Sequence, residues 1–342
     1  MDDVTQAFST GRLKRKICFL AAALICVMLV SLLLGSYFAW PSQVVADVIE
    51  HFNGSALTDP KLDVALFNIR IPRVVIVVLV GMALSVAGAS YQGMFKNPLV
   101  SPDILGASAG ASFGACLAML MNLGNAFIQS FAFIGGLIAV GLVMLINRVV
   151  RGDALLGLIL GGILVGTLFS SGTSIIKLVA DADDKLPAIT FWLMGSFAGA
   201  ENDDVLPLLI PMGIGFALVL CQSWNLNVMS FGEDEAKSLG LNTSLTRTLV
   251  IIGATLLTAS SIAVAGIIGW IGLVVPHLTR ALVGPNYVAL LPTTMLTGAI
   301  FLLVVDNFAR LVYSVEIPIG LLTSILGVPF FIVIYRRNLR GW

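Results

Sequence analysis

Residues 71–93 read IPRVVIVVLVGMALSVAGASYQG, 23 residues in which Arg73 is the only Lys, Arg, Asp or Glu. At about 1.5 Å of rise per residue, a helix of this length crosses the roughly 30 Å hydrocarbon core of a bilayer. The polar–apolar alternation of a barrel strand is absent, so the backbone groups must pair within the segment. Nine further stretches read the same way, at about 17–38, 104–122, 127–147, 154–176, 205–223, 247–266, 267–284, 288–309 and 316–336. Only Gly266 and Gly269 punctuate the run 247–284. The shorter piece 186–200 reads as a helix at the surface or partly re-entrant. The expected fold class is all-α: a polytopic membrane protein, one domain over 1–342, with a bundle of ten transmembrane helices.

Composition agrees. Of the 342 residues 58% are hydrophobic and 11% charged, with a mean hydropathy of +1.00. Soluble domains have about 45–50% apolar and about 25% charged residues. A disordered chain, a nucleic-acid binder with a basic face and an ordinary soluble enzyme are excluded. The first apolar run follows Arg12, Lys14, Arg15 and Lys16, but it is too long for a signal peptide and lacks a clear small-residue cleavage site. It reads as an uncleaved first span. Cys18, Cys26, Cys116 and Cys221 lie in apolar runs without a CxxC pair, and there are two histidines, so neither a disulfide framework nor a metal site is expected.

Basic residues near span ends set the orientation. With the N-terminus inside, thirteen Lys and Arg fall on the inner side and six on the outer, which places both termini in the cytoplasm. The acids divide seven inside and twelve outside. The formal net charge of zero is therefore +6 on the inner face (13 − 7) cancelling −6 on the outer (6 − 12). Arg70, Arg73 and Arg310 stand out against the acidic outer side as groups that call for a partner, although Asp306, four residues before Arg310, is close enough on a helix to pair with it.

Three local patterns bear on function. Glycines repeat at four-residue spacing (Gly106, Gly110, Gly114; Gly157 with Gly161; Gly162 with Gly166), as close helix packing requires. The polar cytoplasmic loop at about 225–247 holds a helix-forming stretch, Glu233–Leu239, that ends at Gly240. It lacks the glycine before Lys237 and the preceding strand of a phosphate loop, so nucleotide binding is not expected, and the loop reads either as a docking surface or as a solvated connection. Pro276 and His277 lie inside a glycine-rich span, where proline kinks the helix.

Taken together, several segments resemble the permease subunits of the iron-siderophore, haem and vitamin B12 family of ATP-binding cassette importers. They are Ile69–Arg73; Asn97-Pro98-Leu99 followed by Gly106–Gly110; Ser230–Gly240; Gly272–Arg280; and Glu316–Gly320 with Gly327–Phe330. The resemblance implies a type II importer permease fold in the cytoplasmic (inner) membrane of a bacterium or archaeon. It implies a dimer with a second permease subunit, two cytoplasmic ATPase subunits below and an extracytoplasmic solute-binding protein above. This chain would hydrolyse nothing and bind no cofactor, ATP and Mg being held by the partner ATPase. A metal chelate, foremost a ferric siderophore, is the implied substrate; haem, cobalamin and molybdate are alternatives. The coupling residues map onto Ser230, Phe231, Gly232, Glu233, Asp234, Glu235, Ala236, Leu239 and Gly240, and binding-protein docking onto Arg70, Arg73 and Arg310. The cytoplasmic gate maps onto Asn97, Pro98, Leu99, Gly152 and Asp153, the second of these loops lacking the hydroxyl-rich pattern of some members. An ion-coupled secondary transporter would instead place ionisable residues near mid-membrane, and Asp306 is the one candidate.

Overall fold

The computed structural model describes residues 2–35, 40–54, 58–149, 154–313 and 315–338. Its elements, in order, are α1 (Asp2–Leu33), α2 (Pro41–Asn53), α3 (Pro60–Asp63), a π-helical segment (Val64–Arg70), α4 (Ile71–Met94), α5 (Ala107–Leu120), α6 (Asn125–Val149), α7 (Ala154–Val179) and α8 (Lys185–Leu193). There follow α9 (Asn202–Cys221), α10 (Ser223–Phe231), α11 (Glu233–Ser238), α12 (Thr243–Ala265), α13 (Ile271–Val283), α14 (Tyr287–Leu311) and α15 (Ile319–Asn338). Among the described residues seven helical runs are long and apolar enough to cross a membrane, and α5, α13 and Ile319–Ile332 of α15 are shorter apolar helices.

The segment 71–93 is the centre of the bundle. In the most apolar window of the run ending in α4, 83% of residues are buried, against 11% in α1 and 22% in α7. A helix apolar on every side belongs inside a bundle, and α4 packs against α9, α12, α13 and α14. Close approach is secured by glycine: a β-carbon at Gly88 would overlap the carbonyl of Gly272 on α13. The repeat at 110 and 114 works the same way, seating α5 against Gly135 and Phe131 of α6.

The run 247–284 breaks where its glycines stand. α12 ends at Ala265, Gly266 and Trp270 both take φ of +67°, and α13 begins at Ile271. The break is held by backbone hydrogen bonds from neighbouring breaks. Ser196 N donates to Ala265 O (2.8 Å), Ile319 N to Gly195 O (2.9 Å) and Gly320 N to Met194 O (3.1 Å). The ends of α8 and α12 thus meet the start of α15, so non-helical backbone is satisfied by protein. The apolar piece 186–200 is the short α8 and its exit.

Candidate functional site

The three arginines singled out by the sequence lie close together, and acids of the same chain satisfy two of them. Arg73 grips Asp306 through Nε (3.1 Å) and Nη2 (2.8 Å) and forms a second fork with Glu316, through Nη1 (2.7 Å) and Nη2 (2.9 Å). Arg310 Nε lies 3.2 Å from the other oxygen of Asp306, as the four-residue spacing suggested, and its Nη2 donates to Ser31 Oγ (2.8 Å). Arg70 donates to the carbonyl of Leu32 (2.8 Å). Asp306 is fully buried, and the arginine side chains are nearly so. The cluster ties α1, α4 and α14 to the segment entering α15. Glu316, with 34% of its side chain exposed, is the one member that faces outward. Sequence reasoning found Arg73 but missed Glu316 as its partner. An arginine in so apolar a segment needs an acid, and the only acids in the last two spans are Asp306 and Glu316.

At the opposite end of α4, the structure explains the Pro276 motif. Proline removes the N–H that would serve the carbonyl four residues earlier, which belongs to Gly272. That carbonyl accepts instead from Gln92 Nε2 (3.1 Å), and Gln92 Oε1 accepts from Arg280 Nη1 (2.6 Å). Gln92 is buried at the end of α4, one turn before the Asn97-Pro98-Leu99 loop. In that loop Asn97 Oδ1 accepts from Leu99 N (2.9 Å), and Leu99 is 56% exposed. The loop is therefore locally braced and clamped to α13. Gly152 and Asp153, the other expected gate residues, lie outside the described residues.

The loop at 225–247 folds as α10 and α11, separated by Gly232 at φ +147° and closed by Gly240 at φ +82°. Glu233 is the anchor. It receives Arg247 Nη2 (3.0 Å) and Thr243 Oγ1 (3.3 Å) from α12, and Lys237 Nζ stands 3.2 Å away. Burial raises the Glu233 pKa, yet Lys237 and Arg247 outweigh it and hold the carboxyl below its usual range. On the other side, Asn227 bonds Asn286 Oδ1 (2.9 Å) and Tyr287 N (2.8 Å) at the start of α14. Ala236 is buried, whereas Phe231 (78%) and Leu239 (73%) stand in the open with Asp234 and Glu235. An exposed apolar pair flanked by acids, on helices pinned to two spans, can receive a partner and pass its motion inward.

A groove of about 630 Å³ lies between α5 and α7, lined by small and hydroxylated residues such as Gly106, Gly166, Thr167, Ser170 and Ser174. Among the described residues no group of three or more His, Cys, Asp or Glu could hold a metal ion.

An apolar helical bundle of this kind has the architecture of known membrane-spanning permeases. The chain belongs to the FecCD transport family, whose profile matches residues 23–337. It is 40% identical over 283 residues to the molybdate import system permease protein MolB of Haemophilus influenzae, covering 83% of this chain and 84% of that one. It is 37% identical to an iron chelatin transport system permease protein of Helicobacter pylori, covering 92% and 97%. Among solved structures, a metal-chelate type ABC transporter in an inward-facing conformation superimposes with a TM-score of 0.84 at 35% identity, covering 94% of this chain and 99% of that chain. These relatives are transport permeases, not enzymes.

Proposed function

We propose that this chain carries a metal chelate, foremost a ferric siderophore, across a cytoplasmic membrane as one half of a permease dimer. In this reading the seven long and three short apolar helices make ten spans with both termini in the cytoplasm. Two ATPase subunits hold ATP and Mg and dock on α10 and α11, and an extracytoplasmic solute-binding protein docks near Arg70, Arg73 and Arg310. ATPase closure then moves α12 through Glu233–Arg247 and α14 through Asn227, and the Asn97-Pro98-Leu99 loop gates the inner mouth. The small-residue groove between α5 and α7 faces the path, passing a bulky solute without gripping it.

The observation that carries the reading is the exposed pair Phe231 and Leu239 beside helices braced by half-buried polar contacts to α12 and α14. Replacing both by alanine leaves those contacts intact. The expected result is loss of ATPase co-purification and of uptake; full retention of both would overturn the docking role. Molybdate is the second reading, favoured by the 40% identity to the molybdate permease. Titrating the partner binding protein with ferric siderophores and with molybdate separates the two.

A further inference from the structure

Away from the arginines and the docking helices, a groove of about 640 Å³ runs down the side of the bundle. α12 is its floor, and α6 and α9, which both pack on α12 without extensive contact with each other, are its walls. Glu201, Asp203 and Asp204 stand at its mouth, no Lys or Arg lines it, and Ile214 marks its lower end on α9. From Asp204 to Ile214 an α-helix rises about 15 Å, half the roughly 30 Å thickness of the hydrocarbon core. The groove is as deep as one leaflet.

Its polar groups change character with depth. At the mouth, Asp204 is already engaged, accepting from Gln129 Nε2 (2.6 Å) and Glu201 N (2.9 Å), while the side chains of Glu201 and Asp203 are exposed. Pro207, in the α9 wall, removes the helical donor that would serve the Asp203 carbonyl, so the mouth is rich in acceptors. On the floor lies Ser260, 2% exposed, about one and a half turns from the end of α12. Thr255, Thr258 and Ser261 on the same helix each donate to the carbonyl four residues back. The Ser260 hydroxyl, by contrast, has no hydrogen-bond partner among the described residues. A buried donor of this kind asks for an acceptor. Below it the groove is apolar, with Pro211 and Ile214 on the α9 wall and Leu256 on the floor.

We propose that this groove is a binding site for a phospholipid whose headgroup ends in a primary ammonium. The ammonium meets Glu201, Asp203 and the Asp203 carbonyl, an ester carbonyl of the lipid accepts from Ser260, and one acyl chain fills the lower groove. An anionic headgroup is repelled at the mouth. The site requires only that the bundle lies in a bilayer and is independent of the solute carried, so failure of the transport reading leaves it standing.

The test uses the full chain in nanodiscs of equimolar phosphatidylethanolamine and phosphatidylglycerol with identical acyl chains, released and weighed by native mass spectrometry. The expected result is one retained phosphatidylethanolamine per chain, favoured about fivefold or more over phosphatidylglycerol. Glu201→Gln with Asp203→Asn, both at exposed positions, should bring that ratio to about one. Ile214→Trp, which fills the lower groove, should lower total occupancy. Equal retention of the two lipids by the unaltered chain, or a preference that survives neutralisation of the acids, would overturn the proposal. So would a photo-reactive residue at 214 that captures a second copy of the chain instead of lipid.

Discussion

At the scale of the residue, the buried charges at the Arg73 cluster are met by opposite charges. Asp306 lies between Arg73 and Arg310 with no exposure of its own. Removing one member of a buried pair leaves an uncompensated charge and costs about 3–5 kcal/mol. Asp306→Asn is therefore expected to destabilise the protein by that amount in chemical unfolding, while Glu316→Gln, at the exposed edge of the cluster, costs less. Gln92 is matched on both ends of its amide. Gln92→Leu leaves the Gly272 carbonyl and Arg280 without it, an expected loss of about 1–3 kcal/mol by the same measurement. These partnerships were only half legible. Asp306–Arg310 follows from a four-residue helical spacing. Arg73–Asp306 and Arg73–Glu316 join residues separated by 233 and 243 positions, and no local pattern encodes them. Gln92 drew no notice because a single amide in an apolar run carries no periodicity.

At the scale of the element, hydropathy located the spans and chain breakers divided them. The expected 71–93 is Ile71–Met94 and the expected 127–147 is Asn125–Val149, because length and apolar content were both ample there. The expected 104–122 is the shorter Ala107–Leu120, since the Asn97–Gly106 loop occupies part of the apolar stretch. Helix α2 has no counterpart among the expected spans, because it is amphipathic and too short to register as one. α11 carries a pH prediction. The Glu233 carboxyl is held below its unfolded value of about 4.3. Its anchoring thus contributes fully above that value and is lost as pH falls through the lower, folded one. The protection factor of α11 against hydrogen exchange, the observed rate corrected for the intrinsic pH dependence of amide exchange, should be constant at neutral pH and fall as the solution is acidified below the usual glutamate value of about 4.3. Arg247→Ala should accelerate exchange already at neutral pH, and an unchanged rate would remove the anchor.

At the scale of the whole molecule, the zero net charge separates into a basic inner face and an acidic outer one only once a topology is assigned. That topology predicts that epitope tags on both termini are cleaved by protease in inside-out vesicles and protected in right-side-out ones. An ion-coupled mechanism would need an ionisable group free to exchange its ion within the membrane. Asp306, the candidate for that role, is instead locked between two arginines. The central claim, a permease driven through its docking helices by partner ATPases, is tested most directly by solute uptake into proteoliposomes. These would hold this chain with its ATPase subunits, supplied with the solute-binding protein. The account predicts uptake that requires ATP and the binding protein and is indifferent to proton or sodium gradients; uptake driven by an ion gradient without ATP would contradict it.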